Sequence, residues 1–161
     1  MLHVGIDPGK TGGLALLSMK EKYVYMLPMP DNFIELKEFL AKAKLCSEFE
    51  TGIHCWLEKA QTMPKQGIVS AFNYGKHFGE LCATMSLLEI PYTLVSPQKW
   101  TKAMHSNSGP ANDAKAKTLM VARRLYPKET FLATPRSKVA HKGLVDALMI
   151  AHYGMQFGGL K

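Results

Sequence analysis

Apolar residues recur along this chain with two different periods, one after the other. Short apolar runs near residues 2–6, 13–18 and 23–27 are broken by turns rich in Pro and Gly and stop at LPMPDN, which is the signature of three strands. The period then lengthens. In FIELKEFLAKAKL, Phe33, Leu36, Phe39, Leu40 and Leu45 follow helical spacing, with Asp31 or Asn32 as the cap. IHCWLE (53–58) is a further strand, and the turn-rich KAQTMPKQG leads into a long helix from about 68 to 88. PYTLV is a short strand, and SPQKWTKAM opens a helix with Pro97 near its first turn. After the loop HSNSGPAND come two more helices, DAKAKTLMVARRLY and GLVDALMIAHYG. Three leading strands followed by β-α alternation define an α/β fold, a mixed sheet flanked by helices.

The helix at 68–88 carries Ala71, Phe72, Gly75, Phe78, Gly79 and Cys82 on a face that can pack closely. Phe72, at helical spacing with Gly75 and Gly79, reads as core; the same small-residue face could pack inside the monomer, the default for such a stripe, or equally cover a second copy as a candidate dimer surface. With 161 residues, no repeat and no linker, residues 1–161 read as one domain. No apolar run approaches the length that spans a membrane, and the first fifteen residues lack the basic start of a signal peptide. An intracellular, cytoplasmic location is expected. Cys46, Cys55 and Cys82 have neither CxxC spacing nor an even count, so all three are expected to be buried thiols rather than disulfide or zinc ligands. A formal charge of +7, from 20 Lys+Arg against 13 Asp+Glu, suits a polyanionic partner such as nucleic acid, and suits a solvated lysine surface equally well.

The N-terminal GIDPGKTGG looks at first like a phosphate loop. That loop needs a glycine five positions before Gly9, where this chain has Val4, and starting from Gly5 it would be one residue too short. What remains is an apolar run ending in Asp7. Glu58 likewise closes an apolar strand, and a carboxylate in such a place is expensive to bury unless it is paired or holds a cation. If the two strands are parallel neighbours, both acids reach the sheet edge where α/β folds usually place ligands. Asp146 is the only acid in the apolar helix LVDALMIA. Three converging carboxylates would bind Mg²⁺ through oxygen and support phosphoryl chemistry. Each acid also has a plain structural reading: Asp7 as a turn residue, Glu58 as a surface partner of Lys59, and Asp146 as a cap or a partner of a neighbouring helix.

Four segments together, GIDPGKTGG, LEKAQTMPKQG with SAFNYGKHFGEL, IPYTLVSPQKWTKAM and HKGLVDALMIAHYG, resemble the RuvC-type Holliday junction resolvases, in particular their small phage-type members, within the RNase H-like superfamily. The resemblance covers nearly the whole chain. It implies an RNase H-like mixed five-stranded sheet flanked by helices, a homodimer acting on four-way and other branched DNA, and Asp7, Glu58 and Asp146 as metal-binding catalytic carboxylates. Asp7 is then expected between two Mg²⁺ ions, with Glu58 and Asp146 holding one each, Mn²⁺ able to substitute, and hydrolysis leaving 5′-phosphate ends.

The resemblance also implies a second acid or a histidine shortly before Asp146, where this chain has His141, Lys142 and Gly143. Lys142, four positions before Asp146, shares its helical face, whereas His141 points away unless the helix starts after it. His141 is a candidate site residue. Lys142 is a charged neighbour that would compete with a second cation, so a junction-binding protein with weak or no cleavage is the alternative. Where some relatives have an aromatic wedge after the glutamate, this chain has Gln61, with Met63 and Phe72 nearby. Lys65, Lys76, Lys99, Lys102, Lys115 and Lys138 are candidates for contacts to the DNA backbone. An actin-like ATPase shares the first-hairpin pattern but needs two such domains, and this chain has residues for one.

Overall fold

The computed structural model describes residues 1–18, 20–21, 23–61, 67–106 and 113–159. Three strands lead, β1 (Leu2–Asp7), β2 (Gly13–Ser18) and β3 (Tyr23–Pro28). They are followed by α1 (Phe33–Cys46), a 3₁₀ turn (Ser47–Phe49), β4 (Ile53–Glu58), α2 (Ile68–Leu87) and β5 (Tyr92–Val95). Three helices finish the chain: α3 (Pro97–His105), α4 (Ala114–Leu125) and α5 (Lys142–Phe157). Asn32 caps α1, its Oδ1 accepting from the Glu35 N–H at 2.9 Å.

The sheet order is β3-β2-β1-β4-β5. The first three strands are antiparallel neighbours, whereas β4 lies parallel to β1 and β5 parallel to β4. Parallel neighbours need a crossover long enough to return the chain to the same end, and α1 and α2 supply the two.

Side chains alternate across a strand, so each strand feeds two layers. Leu2, Val4 and Ile6 of β1, with Ile53, Cys55 and Leu57 of β4, pack against Leu36 and Leu40 of α1 and Leu81 and Met85 of α2. The other face meets the second layer, where Trp56 packs with Trp100 and Met104 of α3, Val121 of α4 and Leu148 of α5. Asp7 and Glu58 belong by parity to this second face. Two glycines let α5 lie against the sheet there. A Cβ at Gly5 would run into the Ala147 carbonyl oxygen and the Ala151 nitrogen, and a Cβ at Gly143 would meet the backbone of Gly12.

Several expectations need correction. Phe72 is 71% exposed, not core, because α2 reaches the core only through its C-terminal half, from Phe78 onward. Phe78 and Cys82 of its small-residue face pack on the core, but the part around Gly75 and Gly79 does not, since a Cβ at either glycine would meet nothing within 4 Å. In α1, Phe33 and Leu45 are exposed, and the stripe that meets the sheet is Leu36, Phe39, Leu40 and Ala43. Of the cysteines only Cys55 is buried; Cys46, in the last residue of α1, is exposed and Cys82 is half-buried. No helix among the described residues is long and apolar enough to cross a membrane.

Candidate active site

The site begins with strand register. The last rung of the β1–β4 ladder joins Ile6 to Leu57, so Asp7 and Glu58 follow it side by side on neighbouring parallel strands, whose spacing is about 4.8 Å. Glu58 is in turn paired with Val95 on β5. The close seating of α5 on Gly5, with Gly143 against the β1–β2 turn, brings Asp146 to the same edge.

All three carboxylates are half-buried, and each is harder to ionise than usual. Asp7 is pushed up to about 8, first by burial and then by the charges of Asp146 and Glu58, with Lys115 pulling the other way. Asp146 rises to about 6 through burial and Glu58, opposed by Lys115 and Lys142. Glu58 also rises through burial, against a hydrogen bond from the Trp100 indole N–H to Oε2 at 2.6 Å. The Tyr74 phenol is raised to about 12 by burial and by the charges of Glu58 and Asp7. The acids therefore feel one another, yet among the described residues no three Asp, Glu, His or Cys side chains are drawn together tightly enough to hold an ion. Three half-buried like charges repel, and a divalent cation is the species that would offset that repulsion and return them to their ionised form. The donor set is hard oxygen, which suits Mg²⁺ or Mn²⁺.

A cleft of about 530 Å³ opens beside the acids, lined among others by Asp7, Thr11, Lys115, His141, Lys142 and Asp146. His141 is the N-cap of α5, and its Nδ1 accepts from the Leu144 N–H at 3.4 Å. Neutral His141 then carries its proton on Nε2. The helix thus starts after His141, the condition under which this ring stays near the site. Lys142 is the first residue of α5 and lies close enough to act on the charge of Asp146. Across the β1–β2 turn a larger cleft of about 870 Å³ runs past Gly9, Lys10, Asn73, Tyr74 and His77.

The lysines singled out for the DNA backbone are dispersed. Lys76 is exposed on α2, 3.8 Å from Glu80, and Lys99 and Lys102 are exposed on α3. Lys138 is exposed in the segment before α5. Lys115 stands at the acids themselves, in the first turn of α4 behind its N-cap Asp113. Lys65 and Met63 lie outside the described residues, while Gln61 and Phe72 are exposed. Sequence reasoning missed Trp100 and Tyr74. Their sequence signal is weak, because an aromatic at helical spacing reads as core until the strand order places it beside an acid.

No protein-family model matches this chain, and no curated protein matches it by sequence. Among solved structures, similar folds are found, and the chain has an α/β RNase H-like fold. The neighbours include Thermus thermophilus RuvC, 18% identical, with a TM-score of 0.58 over 98% of this chain and 97% of that one. They also include T. thermophilus RuvC in complex with Holliday junction substrate, 18% identical, with a TM-score of 0.60 over the same shares.

Proposed function

We propose that this chain is a divalent-metal-dependent endonuclease that resolves Holliday junctions and cuts other branched DNA, a phage-type relative of RuvC built as one nuclease domain over residues 1–161. The observation that carries the reading is the convergence of Asp7, Glu58 and Asp146 on one sheet edge, all three raised by burial and Asp7 and Asp146 also by the neighbouring carboxylates. A fold shared with a RuvC solved on a Holliday junction supports the choice of substrate. Asp7, Glu58 and Asp146 would hold the metal, which supplies charge to a phosphodiester and makes water a stronger nucleophile. Thr11 and Lys115 line the cleft beside them, where a phosphate would enter, and Lys115 offsets its charge. The Nε2–H of neutral His141, on the wall of the same cleft, can donate a hydrogen bond to a phosphate oxygen. The exposed Lys76, Lys99, Lys102, Lys115 and Lys138 attract the backbone without reading sequence.

Two-fold junctions call for a two-fold protein. Ile68, Val69 and Phe72, with the open faces of Gly75 and Gly79, support α2 as the surface that joins two copies.

A synthetic four-way junction with Mg²⁺ or Mn²⁺ tests the reading. The parent protein cuts it to 5′-phosphate ends, and Asp7→Asn binds but does not cut. Cutting that persists in Asp7→Asn ends the assignment. A second reading, a junction binder that cleaves weakly, is favoured by one observation: two ammonium groups, Lys115 and Lys142, act on Asp146. Under that reading the parent binds without cutting, and Lys142→Asp binds Mn²⁺ more tightly in calorimetric titration.

A further inference from the structure

Glu58 is gripped by a side chain that the reading above leaves without a role. Its ladder partner Val95 ends β5, and the Lys59 N–H donates to the Val95 carbonyl at 2.8 Å, which locks the two strand ends together. Ser96 then caps α3, its hydroxyl accepting from the Lys99 N–H, and Pro97 sets the first turn. Five residues after Val95, this geometry returns the Trp100 ring beneath Glu58. The ring is 3% exposed and packed in the core with Val95, Met104, Val121 and Phe131. Its one polar atom, Nε1, donates to Glu58 Oε2 at 2.6 Å.

An indole N–H is a donor only, so it can hold a carboxylate oxygen but cannot itself ligate a metal. The other indole, Trp56, donates at 3.1 Å to His3 Nδ1 and not to an acid of the site. We propose that Trp100 is a positioning residue for Glu58: its indole N–H holds Oε2 from inside the core, which leaves Oε1 as the oxygen that serves the cation shared with Asp7 and Asp146. The proposal rests on the metal-dependent reading above. A side chain that orients a ligand in this way typically changes metal affinity by about 10–100-fold when removed.

Trp100→Phe keeps the ring in the core and deletes the N–H. Mn²⁺ titration by calorimetry is carried out on four proteins: parent, Trp100→Phe, Glu58→Gln and the double variant. The expected result is a loss of about 10–100-fold in Mn²⁺ affinity for Trp100→Phe that nearly vanishes in the Glu58→Gln background. An equal loss in both backgrounds reveals a general packing role and overturns the proposal, as does unchanged affinity in Trp100→Phe. If that variant does not fold, the parent decides the matter, because the chain has 2 tryptophans and hence two indole N–H resonances. Addition of Mg²⁺ shifts one resonance, the same one that Glu58→Gln displaces; two unmoved resonances overturn the proposal. A parent that binds neither ion removes the metal reading itself, whereas a parent that binds Mn²⁺ through Asp7 and is indifferent to Trp100→Phe removes this proposal alone.

Discussion

Asp7 bears a charge that its surroundings oppose, and the consequence is measurable without any substrate. Its folded-state value of about 8 lies above the ordinary 3.8, so between those values the folded protein holds a proton that the unfolded chain has released. Stability therefore falls as pH rises through that window. Asp7→Asn removes the penalty. In metal-free buffer at pH 8 the variant melts several degrees above the parent, at roughly 2–4 °C per kcal/mol relieved. At pH 4 the two melt together. His3 titrates in the opposite sense: burial lowers it to about 4 from 6.5, so the stability it gives above 6.5 is lost as pH falls through 4. Parent and variant share His3, and their difference isolates Asp7. A variant no more stable than the parent at pH 8 would show that the carboxylate is not crowded.

At the scale of elements, α5 decides whether a site exists. Its approach to β1 depends on hydrogen at position 5, since any Cβ there meets the Ala147 and Ala151 backbone. Gly5→Ala must lift the helix or bend the strand. The expected cost is roughly 1–3 kcal/mol in urea denaturation, the range for overpacking. Mn²⁺ affinity should fall with it, because Asp146 rides on α5. Stability loss with undiminished metal binding would mean that Asp146 does not depend on this seating.

For the whole molecule, the exposed start of α2 is the feature that a single chain leaves unexplained. Ile68, Val69 and Phe72 are each more than two-thirds exposed, which is unusual for neighbouring large apolar side chains. Phe72→Asp is expected to convert a dimer to a monomer in sedimentation analysis while the melting temperature of the chain is little changed. An unaltered dimer would put the interface elsewhere. Junction affinity of either form should fall steeply with salt, as backbone contacts by lysine release counterions.

The two periods of apolar residues, 2 and then 3.6, were enough to set the elements, their order and the α/β class, because local backbone geometry dictates which residues share a face. Asp7 and Glu58 were legible for a related reason: a carboxylate at the end of an apolar strand stands out against its neighbours. Tertiary structure decided what those patterns leave open. Phe72 and Gly75 have the spacing of a buried stripe, yet whether anything covers it depends on how far α2 overhangs the sheet. Lys115 and Trp100 look like any surface lysine and any core aromatic. Only the β4–β5 register and the seating of α4 and α5 bring them to the acids, and such contacts between distant segments are fixed by packing, which no local period records.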